Sequence, residues 1–244
     1  MKLGVKFSPE FKQKDFDMLI ELEKRGVEIK GVELQLIRDS TPEKVQVTMD
    51  ALKEFKHDFL GIHPPFPTFR KEVLPWVMNF KDIVTYFVLH AGTMSSYCDL
   101  AKEMILEKCF VENIIPNEKK GEQVLASLIG TAMVSQNLLV DIAHLLFNYS
   151  RGLFWLPPWE QVKEVAPFVK AAHVADGDNG KGKVPENGGS EEYKKMMQMF
   201  FTHTPNALLI GESSEGHLNN NYGHIENATA IWKTWLDFKD NKLI

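Results

Sequence analysis

The segment from Phe168 to Gly189, FVKAAHVADGDNGKGKVPENGG, joins an apolar run to a polar, glycine-rich loop. The apolar run ends at His173, and Asp, Gly, Asn and Lys residues follow almost at once. A short apolar run bounded by such turn residues is typical of a buried strand. The segment therefore predicts a strand from Phe168 to His173 whose last residue faces a long loop.

The same pattern recurs along the chain, in short apolar runs that end on residues able to bind metal ions. The clearest examples are IVTYFVLHAG from Ile83, KCFVENI from Lys108, NLLVDIAH from Asn137 and ALLIGES from Ala207. Helix-like segments alternate with these runs, several of them with Ser, Thr or Pro at their starts. Together they give eight strand-then-helix units, which is the arrangement of a (β/α)8 barrel.

The length of the chain favours one barrel domain that covers residues 1–244. The 244 residues are 44% hydrophobic, which suffices for one large core and is near the usual size of such a barrel. The predicted fold class is therefore α/β, a single (β/α)8 TIM barrel. Its weakest unit lies between His63 and Val84, where Pro75 interrupts a short helix. A doubly wound open sheet is the alternative, but Ser8-Pro9 after the first strand lacks the phosphate-binding turn of that fold.

Composition bears on partners and compartment. The net charge is −5 and no basic stripe is present, so a nucleic-acid partner is not expected. Only Cys98 and Cys109 occur, which indicates a reducing compartment rather than a disulfide framework. The N-terminus lacks a signal-peptide core and no apolar run approaches membrane-spanning length. We therefore expect a cytoplasmic protein without a membrane partner; self-association into a homo-oligomer stays open.

The residues at the predicted strand ends form the candidate site. In (β/α)8 barrels the active site lies at the carboxyl ends of the strands. Those ends, together with one residue just beyond the sixth strand, supply His63, His90, Glu112, Asp141, His144, His173 and Glu212. Carboxylates and imidazoles together suit zinc, manganese, cobalt or iron. The pattern predicts a site for one divalent metal ion, or for two.

Each of these residues also has a purely structural interpretation. A single histidine at a strand end is commonly a hydrogen-bonded structural residue, and Glu112, Asp141 or Glu212 can cap the helix that follows it. Convergence on one barrel mouth is what favours the metal site. A buried group of three carboxylates without cations would repel strongly.

The motifs at these strand ends resemble those of a known superfamily, the xylose-isomerase-like barrels. That superfamily contains sugar isomerases and epimerases, hydroxypyruvate isomerase and endonuclease IV. The matching pieces cover nearly the whole chain: HPPF at His63, HAG at His90, VEN at Glu112, DIAH at Asp141 to His144, HVADG at His173 and GES at Glu212.

The resemblance implies different ligand sets for its two branches. In the isomerases and epimerases one divalent metal is held by the positions of Glu112, Asp141, His173 and Glu212. Glu112 and Glu212 there also serve as the catalytic acid/base pair, and the position of His144 contacts the sugar. In the endonuclease branch a first zinc is held by the positions of His63, His90 and Glu112, and a second by Glu112, Asp141, His173 and Glu212.

The loop after the seventh predicted strand departs from both branches. The endonuclease has an Asp-x-His in this loop that helps to hold a third zinc, but here residues 181–187 read KGKVPEN. The epimerases place an arginine six residues beyond the strand-seven histidine, where this chain has Asn179. Lys183 stands in the loop instead, and with His144 it is a candidate to orient a hydroxyl, carboxylate or phosphate of the substrate.

From these residues we predict a metal-dependent isomerase or epimerase of a sugar or related hydroxy-carbonyl compound. The two glutamates would move a proton through an enediolate, with manganese, zinc or cobalt as the cofactor. One alternative is a two-metal hydrolase like the endonuclease, for which His63 and His90 are the main evidence. Another is a barrel that binds a small carbohydrate without turning it over.

Overall fold

The computed structural model describes residues 1–7, 13–37, 40–53, 55–64, 79–91, 106–116, 122–177, 182–213 and 222–241. Eight parallel strands close into one barrel in which each strand pairs with its neighbour in sequence and β1 pairs with β8. The strands are β1 (Lys2–Phe7), β2 (Ile29–Gln35), β3 (Phe59–His63), β4 (Tyr86–His90), β5 (Cys109–Glu112), β6 (Leu138–Asp141), β7 (Val169–Val174) and β8 (Leu208–Gly211). The predicted (β/α)8 fold is confirmed.

Seven α-helices lie within the described residues. They are α1 (Gln13–Lys24), α2 (Pro42–Leu52), α3 (Leu128–Ala132), α4 (Ile142–Ser150), α5 (Pro158–Val165), α6 (Glu191–His203) and α7 (Tyr222–Lys239). Side-chain oxygens cap several of their starts, since Thr41 accepts from Lys44 N and Ser190 accepts from Tyr193 N. Each such cap satisfies one of the backbone N–H groups that the first helical turn leaves without a partner.

Two large layers of apolar side chains and a small third cluster, around Val111 and Ile114, make up the core of the described residues. The larger layer fills the space between the strands and the surrounding helices. The smaller layer fills the barrel interior and includes Phe59, Tyr86 and Phe110. Glycines make room for these rings, because a Cβ on Gly31 would lie 2.4 Å from the Phe59 ring and one on Gly61 would lie 2.3 Å from the Tyr86 ring.

Some element boundaries differ from those predicted. Glu and Gln alternate with aliphatic residues at Val32–Ile37, and this pattern predicts the second strand there, but the strand occupies Ile29–Gln35. Its earlier start follows from pairing with the first strand, because Ile29 lies opposite Leu3. Such a pairing partner is invisible in local sequence, where Lys30 and Gly31 weaken the strand pattern.

The sequence also predicts one helical stretch from about Gly121 to Gln136, and this is wrong as a single element within residues 122–136. A 3-10 turn at Gln123–Ala126 is followed by the short α3, with Ser127 capping α3 between them. At Gly130 a Cβ would lie 1.7 Å from the Val124 carbonyl oxygen, so the two pieces fold closely onto each other. The first predicted helix is present as α1, but its predicted start at Ser8-Pro9 lies outside the described residues. The short helix around Pro75 and most of the helix predicted from Ser95 to Glu107 lie outside them as well.

Strand register brings the polar strand ends to one level of the barrel mouth. Opposed pairs include Lys6 with Glu33, Gln35 with His63, His90 with Glu112, and Asp141 with His173. Parallel strands carry all of these residues toward the same carboxyl edge. No helix in the described part of the chain combines the length and apolarity required to cross a bilayer.

Candidate metal centre

Most of the predicted site residues meet in one buried cluster at the barrel mouth. Among the described residues, three sets place ligand atoms within 4.8 Å of one another: His63, Glu112 and His173; Glu33, His173 and Glu212; and Glu112, Asp141 and His144. His90 belongs to none of these sets, although its Nε2 lies 3.5 Å from Glu112 Oε2. Glu112 and His173 each belong to two of the three sets, so these two side chains form the centre of the cluster.

The two ring nitrogens of His173 have different surroundings. Its Nε2 lies 2.8 Å from Glu33 Oε1, a hydrogen bond to a fully buried carboxylate. Its Nδ1 makes no hydrogen bond of good geometry to any described residue, although it lies 2.9 Å from Glu212 Oε2 and 3.5 Å from Glu112 Oε1. A histidine that ligates a metal commonly donates its other N–H to a carboxylate in this way. The donor set around Nδ1 therefore fits a divalent ion.

Glu112 is the most heavily contacted of the carboxylates, and its two oxygens face different histidines. Oε2 lies 3.1 Å from His63 Nε2 and 3.5 Å from His90 Nε2. Oε1 lies 3.5 Å from His173 Nδ1 and 3.7 Å from His144 Nδ1. The carboxylate thus joins the two halves of the cluster, as a bridging ligand would.

Asp141 both caps the helix that follows its strand and contributes a carboxylate oxygen to the cluster. Its Oδ1 caps α4 by accepting from His144 N at 2.8 Å, while Oδ2 lies 3.6 Å from His144 Nδ1. The backbone of Asp141 is held by the buried Asn113 side chain, which accepts from Asp141 N and donates to Asp141 O. One carboxylate oxygen is thereby used by the fold and the other faces the cluster.

Lys6 lies at the base of the cluster and was not predicted as a site residue. Its side chain is 0% exposed, and its Nζ lies 2.8 Å from Glu212 Oε2 and 3.3 Å from Glu33 Oε1. The same nitrogen is 3.1 Å from His63 Nδ1. A buried ammonium therefore neutralises part of the negative charge that the carboxylates concentrate here.

The side chains of Glu33, Gln35 and Tyr86 were missed as well. Tyr86 donates to Glu33 Oε2 at 2.7 Å, and Gln35 Oε1 contacts His63 Nδ1. The available signal was the alternation of Glu33 and Gln35 with aliphatic residues in the second strand. Such alternation usually marks a strand with one face in solvent. In this closed barrel Glu33 and Gln35 instead contact His173 and His63 inside the mouth.

The charges of the cluster stabilise one another. Burial alone would lower the pKa of Lys6, but the carboxylates of Glu212, Glu33 and Glu112 outweigh it and raise that pKa, so the group stays an ammonium. Burial would raise the pKa of Glu33, yet His173 and Lys6 bring it down to about 2. Both groups are therefore charged at neutral pH.

Asp141 and His173 both keep a proton to higher pH than the isolated side chains would. Burial, assisted by Glu112 and Glu212 and opposed by His144, raises the pKa of Asp141 to about 6. Burial would lower the pKa of His173, but Glu33 and Glu212 raise it well above its ordinary value. Since a metal ligand must be deprotonated, metal binding here would release protons.

His63 and His90 show the opposite behaviour, because burial dominates. It lowers the pKa of His63, with a further contribution from Lys6. It lowers the pKa of His90 to about 3 against the attraction of Glu112. Both rings are therefore neutral at pH 7.

A pH-dependent loss of stability follows from His90. Below pH 6.5 the unfolded chain takes up a proton at this residue while the folded chain does not until about pH 3. Stability is thus complete above pH 6.5 and is lost as the pH falls, at up to about 1.4 kcal/mol per pH unit for one proton. We expect His90→Asn to flatten the fall in unfolding free energy between pH 6 and pH 4, measured by urea denaturation of metal-free protein. His203→Asn is the matched control, and an unchanged slope in His90→Asn would contradict the assignment.

Lys183 lies in the loop that follows the seventh strand. Its side chain is exposed, and its backbone pairs with that of Asp176 in an isolated antiparallel bridge. The Asp176 carboxylate accepts from Gly177 N, Ser190 N and Ser190 Oγ at 2.7–2.9 Å, so it fastens the loop. A Cβ on Gly182 would lie 3.3 Å from the Glu212 carbonyl oxygen, which places this strand of the loop beside the mouth.

A cavity of about 930 Å³ lies outside the barrel, between α1, α7 and residues 184–188. Its walls carry both charges, including Glu21, Arg25 and Lys233. None of the residues of the ionisable cluster lines it. The ionisable side chains thus converge at the barrel mouth and not in this cavity.

Comparison with known proteins supports the fold and gives no information on the activity. No protein-family model matches the sequence, and no curated protein does either. Among solved structures, a crystal structure of an uncharacterised protein from Parabacteroides distasonis ATCC 8503 is similar, with a TM-score of 0.51 and 13% sequence identity. The match covers 96% of this chain and 99% of that one. At this identity the likeness shows the fold alone, that of a closed eight-stranded (β/α) barrel.

Proposed function

We propose that this barrel is a divalent-metal-dependent isomerase or epimerase of a sugar or related hydroxy-carbonyl compound. The observation that carries the proposal is the environment of His173. Its Nδ1 lies between the carboxylates of Glu112 and Glu212, while Nε2 is fixed by Glu33. A metal-ligating histidine typically has one nitrogen among the other ligands and its second N–H held by a carboxylate, as His173 has. The resemblance to the xylose-isomerase-like barrels supports the same assignment.

The residues that would hold the ion are Glu112, Asp141, His173 and Glu212. When bound there, a divalent ion would polarise two adjacent oxygens of the substrate and stabilise negative charge as it develops. The oxygen and nitrogen donors, without thiolate, suit manganese, zinc or cobalt. His144, whose side chain is 24% exposed, lies nearer to solvent and would orient a substrate hydroxyl.

Glu112 and Glu212 would carry out the proton transfer. Glu112 ends β5 and Glu212 follows β8, and these strands are not neighbours in the barrel. Both carboxylates nevertheless lie within 3.5 Å of His173 Nδ1. Carboxylates that approach a common point from two sides can act on opposite faces of a planar intermediate. One of them takes the proton from the carbon next to the carbonyl group. The other, already protonated, returns a proton on the neighbouring atom.

A two-metal hydrolase is the second candidate, and one observation favours it. His63 Nε2 and His90 Nε2 both face Glu112 Oε2, at 3.1 and 3.5 Å. Two histidines and a bridging carboxylate can hold a first metal ion, and paired metals can activate a water and clamp a phosphate. Glu112 has a second oxygen toward His173, as a bridge between two ions would need.

Metal content followed by a substrate trial tests the proposal. We expect the purified protein to bind one equivalent of manganese, zinc or cobalt, measured by elemental analysis after dialysis. The loaded protein is then incubated in D2O with ketoses, aldoses and hydroxypyruvate, and NMR detects deuterium entering at the carbon next to the carbonyl group. Exchange occurs whenever an enediolate forms, even if net conversion is small. Cleavage of abasic-site DNA without any such exchange would establish the hydrolase instead, and absence of metal binding would refute both.

A further inference from the structure

The contacts of the His63 ring determine which of its nitrogens carries the proton. Nδ1 lies 3.1 Å from Lys6 Nζ and also contacts Gln35 Oε1, while Nε2 lies 3.1 Å from Glu112 Oε2. A neutral imidazole has one N–H donor and one acceptor nitrogen. An ammonium can only donate and a carboxylate can only accept. Lys6 and Glu112 therefore demand the same tautomer, with a bare Nδ1 and a protonated Nε2.

Among the described residues, Gln35 is the one contact of this ring that favours the opposite tautomer, because its Oε1 would accept from an Nδ1–H. In that arrangement Nδ1–H would point at the Lys6 ammonium and the bare Nε2 would point at the Glu112 carboxylate. Two charge-assisted hydrogen bonds would be lost for one neutral bond gained, and charge-assisted bonds are roughly twice as strong. Lys6 has no room to withdraw, since it is fully buried and ion-paired to Glu33 and Glu212.

We propose that Lys6 fixes the Nε2–H tautomer of His63 and thereby prevents this histidine from binding metal, so that the chain holds one metal ion. A protonated Nε2 has no lone pair to offer a cation. His63 then acts as a positioning residue that donates to Glu112 Oε2 and leaves Glu112 Oε1 directed at His173. The inference rests on the proposed metal site and adds to it. It assigns the choice between one and two metals to a side chain that lies in the first strand.

The number of bound metal ions tests this in the intact protein. Wild type, Lys6→Met and the Lys6→Met/His63→Gln double variant are titrated with zinc by calorimetry, with elemental analysis as a check. We expect stoichiometries of one, two and one. In Lys6→Met the ammonium is gone, so Nδ1–H turns to Gln35 and Nε2 becomes a ligand beside His90. Lys2→Met, in the same strand but exposed, is the matched control and is expected to bind one ion.

The outcomes separate this inference from the proposed function. Two ions in the wild type, or one ion in Lys6→Met, would overturn the role of Lys6 while leaving a metal enzyme. No ion in the wild type would remove the proposed metal site itself. A second measurement does not require Lys6→Met to fold. Long-range ¹H–¹⁵N NMR of the zinc-loaded wild type reports which nitrogen of each histidine carries the proton. The His63 signals are assigned by their absence in His63→Gln. Protonated Nε2 and a bare Nδ1 are expected, and the reverse pattern would contradict the proposal.

Discussion

The Glu112→Gln variant is expected to lose about a thousandfold or more of the turnover, with its fold intact. The amide can neither take a proton from carbon nor carry the negative charge that a metal ligand supplies, and acid/base catalysis alone contributes roughly 10²–10⁴-fold. The substitution keeps the size and shape of the side chain, so the buried site is not opened. Glu112 is 3% exposed, and a neutral group in its place also removes repulsion from the other carboxylates.

The measurement is a steady-state rate at saturating metal on the substrate that the deuterium-exchange panel identifies. Saturating metal separates the loss of chemistry from a weaker affinity for the ion. Circular dichroism and a thermal unfolding curve check the fold, and Glu164→Gln on the exposed side of α5 is the matched control. Wild-type turnover in Glu112→Gln would refute the acid/base assignment.

Glu33→Gln is expected to lower the stability of the metal-free protein strongly. Glu33 is fully buried and interacts with Lys6, His173 and Tyr86. Removing the charge of one partner in such a group costs about 3–5 kcal/mol, because the remaining cations stay buried. In a chain of this length that corresponds to a fall in unfolding temperature of roughly 6–20 °C.

The same variant is expected to bind metal about 10–100-fold more weakly, because the residue that orients His173 is weakened. Differential scanning calorimetry measures the first effect and metal titration the second. Glu21→Gln, on the exposed face of α1, is the control and should change neither. An unaltered affinity alongside a large loss of stability would show that Glu33 serves the fold and not the metal site.

Much of the barrel and its mouth was predictable because the strand ends share a local signal. Runs such as LLVD and CFVE are apolar until their last residue, and the structure begins and ends these strands where predicted. A parallel barrel then brings the last residues together irrespective of their distance in sequence. That is why Glu112, Asp141 and His173 were found without any structural information.

The base of the cluster was not predictable by the same reasoning. Lys6 and Glu33 lie within their strands, and each is satisfied only by residues from other strands. Nothing local shows that Lys6 would meet Glu212, or that Glu33 would meet His173. The role of Lys183 stays a prediction, since its side chain is exposed in a loop whose neighbouring Gly182 lies beside the mouth. Both faces of a strand in such a barrel are buried, so a charged residue inside a predicted strand indicates a buried ion pair with another strand, as Lys6 and Glu33 show.

The ion pair between Lys6 and Glu212 has a consequence for how the chain folds. It joins β1 to the residue after β8, across the seam where the barrel closes. Until β8 has docked, the first strand carries a lysine that the barrel interior can accept only with part of its counter-charge, and burying it is costly. We therefore expect the burial of β1 to become fully favourable only when β8 has docked against it. Fragments that stop short of Glu212 are expected to stay open rather than to form a half-barrel.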